Sequence, residues 1–207
     1  MVRWGMAVDL RSCSGCQTCT IACKVDNATP PGVLWKSVKD VEVGAYPNVR
    51  RFFLPVQCMH CAEPPCMDVC PTTATMKRPD GIVYIDYDRC MGCGYCVLAC
   101  PYDARCLIKE QVAYFPIQAQ GGRKPRPLGV AMKCDFCFDR IDLADGDSKA
   151  GKGPESTPVC VNSCPADALV FGDLDDPESR LSKVIAARPG VRLSLEMGTD
   201  PSVYYLR

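Results

Sequence analysis

An α+β fold of two small modules, one inserted into the other, with short hairpins and long cysteine-bearing loops, is what this 207-residue chain predicts. Two observations carry that expectation. Sixteen of its 17 cysteines fall into four runs of four, and the stretch between the second and third runs reads as a tight hairpin. Run one is Cys13, Cys16, Cys19 and Cys23, spaced C-x2-C-x2-C-x3-C. Run two is Cys58, Cys61, Cys66 and Cys70, spaced C-x2-C-x4-C-x3-C-P. Run three, Cys90, Cys93, Cys96 and Cys100, is spaced C-x2-C-x2-C-x3-C-P. Run four is split: Cys134 and Cys137 form a C-x2-C, and Cys160 and Cys164 follow a long insertion as C-x3-C-P.

Three thiolates at this spacing reach three corners of one iron–sulfur cube, and the fourth points away to ligate a different cluster. Four such runs predict four 4Fe–4S clusters and a chain that moves electrons. Disulfide scaffolds are mostly shorter and rarely repeat C-x2-C-x2-C. Structural zinc wants two ligand pairs per ion, which C-x2-C alone satisfies but the third cysteine and the trailing C-x3-C-P do not.

Hydrophobic residues make up 47% of the chain, a figure that includes the cysteines, so bound clusters are expected to serve as much of the interior. Lysine plus arginine equals aspartate plus glutamate at 24 each, which points away from nucleic acid and from a generally basic membrane surface. Each oxidised cube with its four thiolates adds roughly two negative charges. No apolar run is long enough to span a bilayer. The opening residues Met1 to Met6 enter a strand-like stretch at once, leaving no room for a signal peptide, and Arg50-Arg51 lies mid-chain. A protein of this kind working outside the cytoplasm is expected to travel folded, carried by a partner's signal.

The elements follow in order. The segments 73–77 and 82–86 flank Asp80-Gly81 and predict a hairpin with a tight turn. Cysteine run, hairpin, cysteine run is the layout of a bacterial two-cluster ferredoxin, in which the fourth cysteine of each run crosses to the neighbouring cluster. Cys58, Cys61 and Cys66 therefore group with Cys100 (cluster three), and Cys90, Cys93 and Cys96 with Cys70 (cluster four). By elimination Cys13, Cys16 and Cys19 group with Cys164 (cluster one), and Cys134, Cys137 and Cys160 with Cys23 (cluster two). Sequential pairing, run one with two and three with four, is the competing assignment. The preferred grouping makes residues 1–50 plus 128–207 an outer ferredoxin-like module around an inner one, 51–127, and brings the chain ends together. Gln118 to Pro127 and Asp145 to Pro158 read as solvent loops. Ala168 to Phe171 predicts a short strand. Asp176-Pro177-Glu178 predicts a helix start with Asp176 as cap, running to about Arg188, and Val203 to Leu206 a final strand.

Around the ligands, the prolines after Cys70, Cys100 and Cys164 redirect the backbone, whereas Cys23 is followed by Lys24. Arg11, Arg89 and Lys133 precede runs and can offset cluster charge, or simply be solvated. The single histidine, His60, lies between Cys58 and Cys61; with four cysteines per cluster it is expected beside a cluster or facing solvent rather than as a ligand. His60, Lys24, Arg89 and Lys133 are therefore the residues expected to support the ligands from behind. Cys106, the unmatched cysteine, reads as a small buried hydrophobe. Gly92 and Gly94 fit tight turns with amides free to meet sulfur. No nucleophile triad, carboxylate pair or phosphate loop is present, so no catalytic residue is assigned.

Met6 to Asp9, Gln57-Cys58-Met59-His60-Cys61, Glu63 to Cys66, Cys100 to Arg105, Lys133 to Cys137, Phe171 to Leu174, and Gly198 to Leu206 together resemble the ferredoxin-like electron-transfer subunits of the complex iron–sulfur molybdoenzymes. Those include the small subunits of polysulfide, thiosulfate, dimethyl sulfoxide and arsenate reductases. The resemblance spans essentially the whole chain. It implies four 4Fe–4S clusters here, with the same outer ligand pairing. It also implies a large partner holding molybdenum or tungsten on a bis-pyranopterin cofactor and a membrane subunit exchanging electrons with quinone. Membrane association through a partner follows, with the periplasmic face favoured over the cytoplasm. A free-standing polyferredoxin serving a hydrogenase or other oxidoreductase is the second reading, and a zinc-stapled interaction module the third.

Overall fold

The computed structural model describes residues 2–107, 109, 127–143, 153–188 and 190–207. The chain mixes short helices and strands, as a 4Fe–4S ferredoxin-like protein does. Strand β1 (Trp4–Asp9) is buried along both faces, with Met6, Ala7 and Val8 fully enclosed. It occupies an inner position in a four-stranded sheet, flanked by antiparallel β8 (Leu169–Asp173) and parallel β10 (Val203–Leu206), with β9 (Gly190–Val191) beyond. Successive side chains of a strand point to opposite faces. Ala7, Val170 and Leu206 accordingly meet Leu181 of helix α6 (Arg180–Ala187). Trp4, Met6, Val8, Phe171, Val203 and Tyr205 face the main core, which contains Trp35, Phe136 and many of the cysteines. Pairing of Met6 with Val203 brings the two ends of the chain together, as expected.

The predicted hairpin is present as β4 (Thr75–Lys77) and β5 (Val83–Ile85), with Thr75 opposite Ile85. Its loop is longer than Asp80-Gly81 alone. Arg78 N–H donates to the Ile82 carbonyl at 2.8 Å, and Gly81 takes a φ of 85°. Strands β6 (Arg105–Leu107) and β7 (Ala131–Lys133) pair in the same way after run three. The helix expected from Asp176 begins later. Ser179 is the cap, its side chain accepting from Ser182 N–H, while the Asp176 carboxylate closes the preceding turn by accepting from Glu178 N–H at 2.9 Å. Most of the two expected loops, 118–126 and 145–152, lies outside the described residues.

One element was not anticipated. Strands β2 (Lys36–Ala45) and β3 (Asn48–Gln57) form a long antiparallel arm. Only its base is buried; towards the tip both strands face solvent, and Tyr46 is 93% exposed. The alternation that marks a half-buried strand is therefore weak here.

Candidate metal centres

Each run is presented by the same local device. The residue before the second cysteine has a positive φ in all four C-x2-C turns: Gly15 71°, His60 45°, Gly92 72° and Phe136 55°. A short helix then carries the third cysteine: α1 (Thr18–Asp26), α2 (Pro65–Asp68), α3 (Tyr95–Leu98) and α5 (Val159–Asn162). Helix α1 also holds the fourth, Cys23, whereas Cys70, Cys100 and Cys164 lie two residues past their helices, and α4 (Phe138–Leu143) follows Cys137. Each Cys-Pro ends its helix in a matching turn, with Thr73, Asp103 and Asp167 N–H donating to the carbonyls of Cys70, Cys100 and Cys164 at 3.2, 3.3 and 3.2 Å. The fourth residue after the cysteine then aims its amide at sulfur. Ala168 N–H donates to Cys164 Sγ at 3.3 Å, and the amides of Ala104 and Ala74 act on Cys100 and Cys70.

Run one lacks the proline, and its helix α1 continues past Cys23. The backbone N–H of Asn27, four residues on, is therefore spent on the Cys23 carbonyl. Its side-chain amide replaces it, Nδ2 lying 3.5 Å from Cys23 Sγ. Two different constructions thus deliver one amide donor to the crossing thiol.

The thiols assemble in fours. Cys58, Cys61, Cys66 and Cys100 line one hollow, and Cys70, Cys90, Cys93 and Cys96 line another. Burial raises the Cys19 thiol, Lys36 lowers it, and Cys164, Cys13 and Cys16 raise it further. Burial likewise pushes Cys23 far up, aided by Cys134, Cys160 and Cys137. Neighbouring fours influence each other electrostatically: Cys19 acts on Cys160, and Cys58 on Cys134. Among the described residues no three His, Cys, Asp or Glu side chains converge closely enough to hold a single ion; the thiols stand around a volume instead, which suits a cube.

Burial varies along this row. Cys23, Cys134, Cys137 and Cys160 are all buried, as are Cys58, Cys61 and Cys66, whereas Cys16 and Cys93 are exposed. Burial pushes Cys61 up to about 12 and Cys66 up to about 11. At the exposed end, hydrogen bonds from the Thr18 hydroxyl and amide hold Cys16 below the ordinary thiol value.

The four residues expected behind the ligands have separate fates. His60 is fully buried: Val83 N–H donates to its Nδ1 at 3.1 Å, and its ring stacks on Phe136 at 3.7 Å. Burial, then Lys133 and Arg105, hold its pKa well below the usual imidazole range. Lys133 is buried and donates to the carbonyls of Val83 and Cys134 rather than to sulfur. Lys24 holds the following loop by donating to the Pro30 and Val33 carbonyls at 2.7 and 3.0 Å. Arg89 is largely exposed and pairs with Asp86. Cys106 is partly buried, pushed up to about 11 by burial, and packs against the core. Arg105 was missed although its Nη2 donates to Cys66 Sγ at 2.9 Å, and Lys36 and Asn27 were missed as well. For Asn27 a signal existed, an amide side chain at the position where the other runs place alanine.

The chain matches the model of the 4Fe–4S dicluster domain over residues 49–174 and that of a 4Fe–4S binding domain over 11–26. It is 41% identical to a subunit of the selenate reductase of Mesobacillus selenatarsenatis, over 99% of this chain and 72% of the relative. Identity is 42% to the putative dimethyl sulfoxide reductase iron–sulfur subunit of Halobacterium salinarum, over 100% of this chain and 79% of that one. It is 35% to the iron–sulfur cluster-binding subunit of the menaquinone reductase of Nitratidesulfovibrio vulgaris, over 99% and 89%.

Proposed function

This chain belongs to the family of 4Fe–4S ferredoxin-type iron–sulfur subunits of molybdoenzyme complexes, and from that premise we propose that it is a four-cluster wire between a catalytic subunit and a second redox partner. It is an electron-transfer subunit without a catalytic site of its own. Four 4Fe–4S clusters are assigned, on the ligand sets Cys13, Cys16, Cys19, Cys164; Cys23, Cys134, Cys137, Cys160; Cys58, Cys61, Cys66, Cys100; and Cys70, Cys90, Cys93, Cys96. Clusters one and two make up the outer module, 1–50 plus 128–207, and three and four the inserted one, 51–127.

The observation that carries the reading is the burial gradient along four neighbouring groups of thiols, exposed at Cys16 and Cys93 and closed between them. Bound clusters supply one-electron exchange. The residues of the chain hold the thiolates, donate amides to sulfur, keep water from the middle of the row and leave its two ends open to partners.

The partners proposed are a large subunit with molybdenum or tungsten on a bis-pyranopterin and a quinone-linked membrane subunit. No described helix is long and apolar enough to cross a membrane. Attachment through the partner is part of the proposed reading, with the periplasmic face preferred to the cytoplasmic one. The test is metal analysis of the complex purified anaerobically from its native host. Roughly sixteen irons per chain with about one molybdenum or tungsten is expected. The same iron alone would indicate a free carrier, and zinc in place of iron would overturn electron transfer.

A further inference from the structure

Three cations are buried among the described residues, Arg105, Lys36 and Lys133. Lys133 is spent on backbone carbonyls, and neither Arg105 nor Lys36 has a carboxylate within ion-pair distance among those residues. Arg105 opens β6, directly after the turn that follows Cys100, and is only 5% exposed. Its Nη2 donates to Cys66 Sγ at 2.9 Å and its Nη1 to Thr75 Oγ1 at 3.1 Å. The same guanidinium also acts electrostatically on Cys58 and Cys96. Cys58 and Cys66 belong to the third ligand set and Cys96 to the fourth, so one planar group spans the gap between them. Lys36 is its counterpart. It opens β2, is 1% exposed, and donates from Nζ to Gln57 Oε1 at 2.5 Å. It acts on Cys19 of the first set and on Cys160 of the second.

A buried cation is costly unless something compensates it, and here the anionic groups that act most on Arg105 are thiolates. A thiolate-bound 4Fe–4S cluster is anionic and becomes more so on reduction. A cation fixed beside it stabilises the reduced form through a low local dielectric, and one placed between two clusters does so for both.

We propose that Arg105 and Lys36 are the potential-setting residues of the two intra-module gaps, Arg105 raising clusters three and four together and Lys36 raising clusters one and two. The proposal rests on the four-cluster reading. Because each cation acts on both members of its pair, it shifts the two together and leaves the energy step between them unchanged. Arg105 acts through a direct hydrogen bond to Cys66 sulfur as well as charge, whereas Gln57 holds the Lys36 ammonium and its effect runs through space. Replacing Arg105 therefore gives the larger shift.

The test is redox titration of the anaerobically purified holocomplex followed by electron paramagnetic resonance, with iron counted in each sample. Arg105→Gln is expected to keep all clusters and to weaken electron uptake by one pair about tenfold, which is about 59 mV for a one-electron couple. Lys36→Met lowers the other pair by less, and Arg105→Lys and Lys36→Arg restore most of each shift. Unmoved potentials in fully loaded variants, or the same pair moved by both substitutions, would overturn the assignment. If Arg105→Gln does not load, Lys36→Met decides by itself, an unmoved pair in the loaded protein sinking the proposal. Wild-type protein with fewer than four clusters would instead count against the four-cluster reading.

Discussion

Runs one and three put a glycine before their second cysteine, and runs two and four put His60 and Phe136 there, yet all four positions share one left-handed backbone conformation. The glycines are required by what lies against them. A Cβ on Gly92 would collide with the Gly129 carbonyl oxygen, and one on Gly15 would enter the Phe53 ring. His60 and Phe136 hold the same backbone despite a cost of roughly 1–2 kcal/mol for each non-glycine residue. Their rings stack at 3.7 Å in the core, and that burial offsets the strain. The difference separates the ends of the row from its middle. End groups are turns near the surface, closed by neighbouring backbone or an arm residue, while the two middle groups are joined by a ring pair that is itself core.

Removing the iron breaks this comparison most severely. The middle thiols are part of the hydrophobic core, so apoprotein is expected to lose cooperative unfolding, read by circular dichroism. Mild chelation should attack the ends first and release iron in two phases of similar size, followed by visible absorbance; a single phase would contradict the burial gradient. Cysteine replacements sharpen the contrast. Cys134→Ser should prevent accumulation of folded protein, whereas Cys93→Ser should leave a soluble chain with its other clusters, and normal turnover by such a complex would argue against a linear wire.

Next in size is the ring pair. Phe136→Ala is expected to cost about 3–5 kcal/mol in anaerobic denaturant titration of the holoprotein. The smallest effect is expected at Asn27. Asn27→Leu removes the amide beside Cys23 and should lower one cluster potential while changing stability by about 1 kcal/mol. A shift in more than one potential would mean that Asn27 acts through the fold instead.

Much of this was legible because cysteine spacing is a local code. The runs, the β4–β5 hairpin and the terminal strands all follow from residues close in sequence. The cap at Ser179 was misread because Asp176-Pro177 is an equally good start signal, and only the Ser182 amide distinguishes the two. Arg105 and Lys36 were invisible for another reason. Their roles depend on sulfur atoms 39 residues away for Arg105 and on an arm whose solvent-facing strands leave little periodic trace. His60 was expected beside a cluster or in solvent; its ring is buried against Phe136, a contact between two runs that no spacing predicts.

The pairing of β1 with β8 and β10 has a consequence for how the protein is made. Strand β1 is translated before every cysteine run, and the strands that flank it are translated after all of them. On the proposed ligand sets, Cys13, Cys16 and Cys19 are translated well before Cys164, whereas Cys58 to Cys100 emerge within one short stretch. Those sets predict that the inner thiols are complete first and the outer ones only once Cys164 has emerged. A polypeptide cut short before Cys164 would, on the same sets, keep the inner ligands and lose a ligand of the outer ones, along with both strands that flank β1.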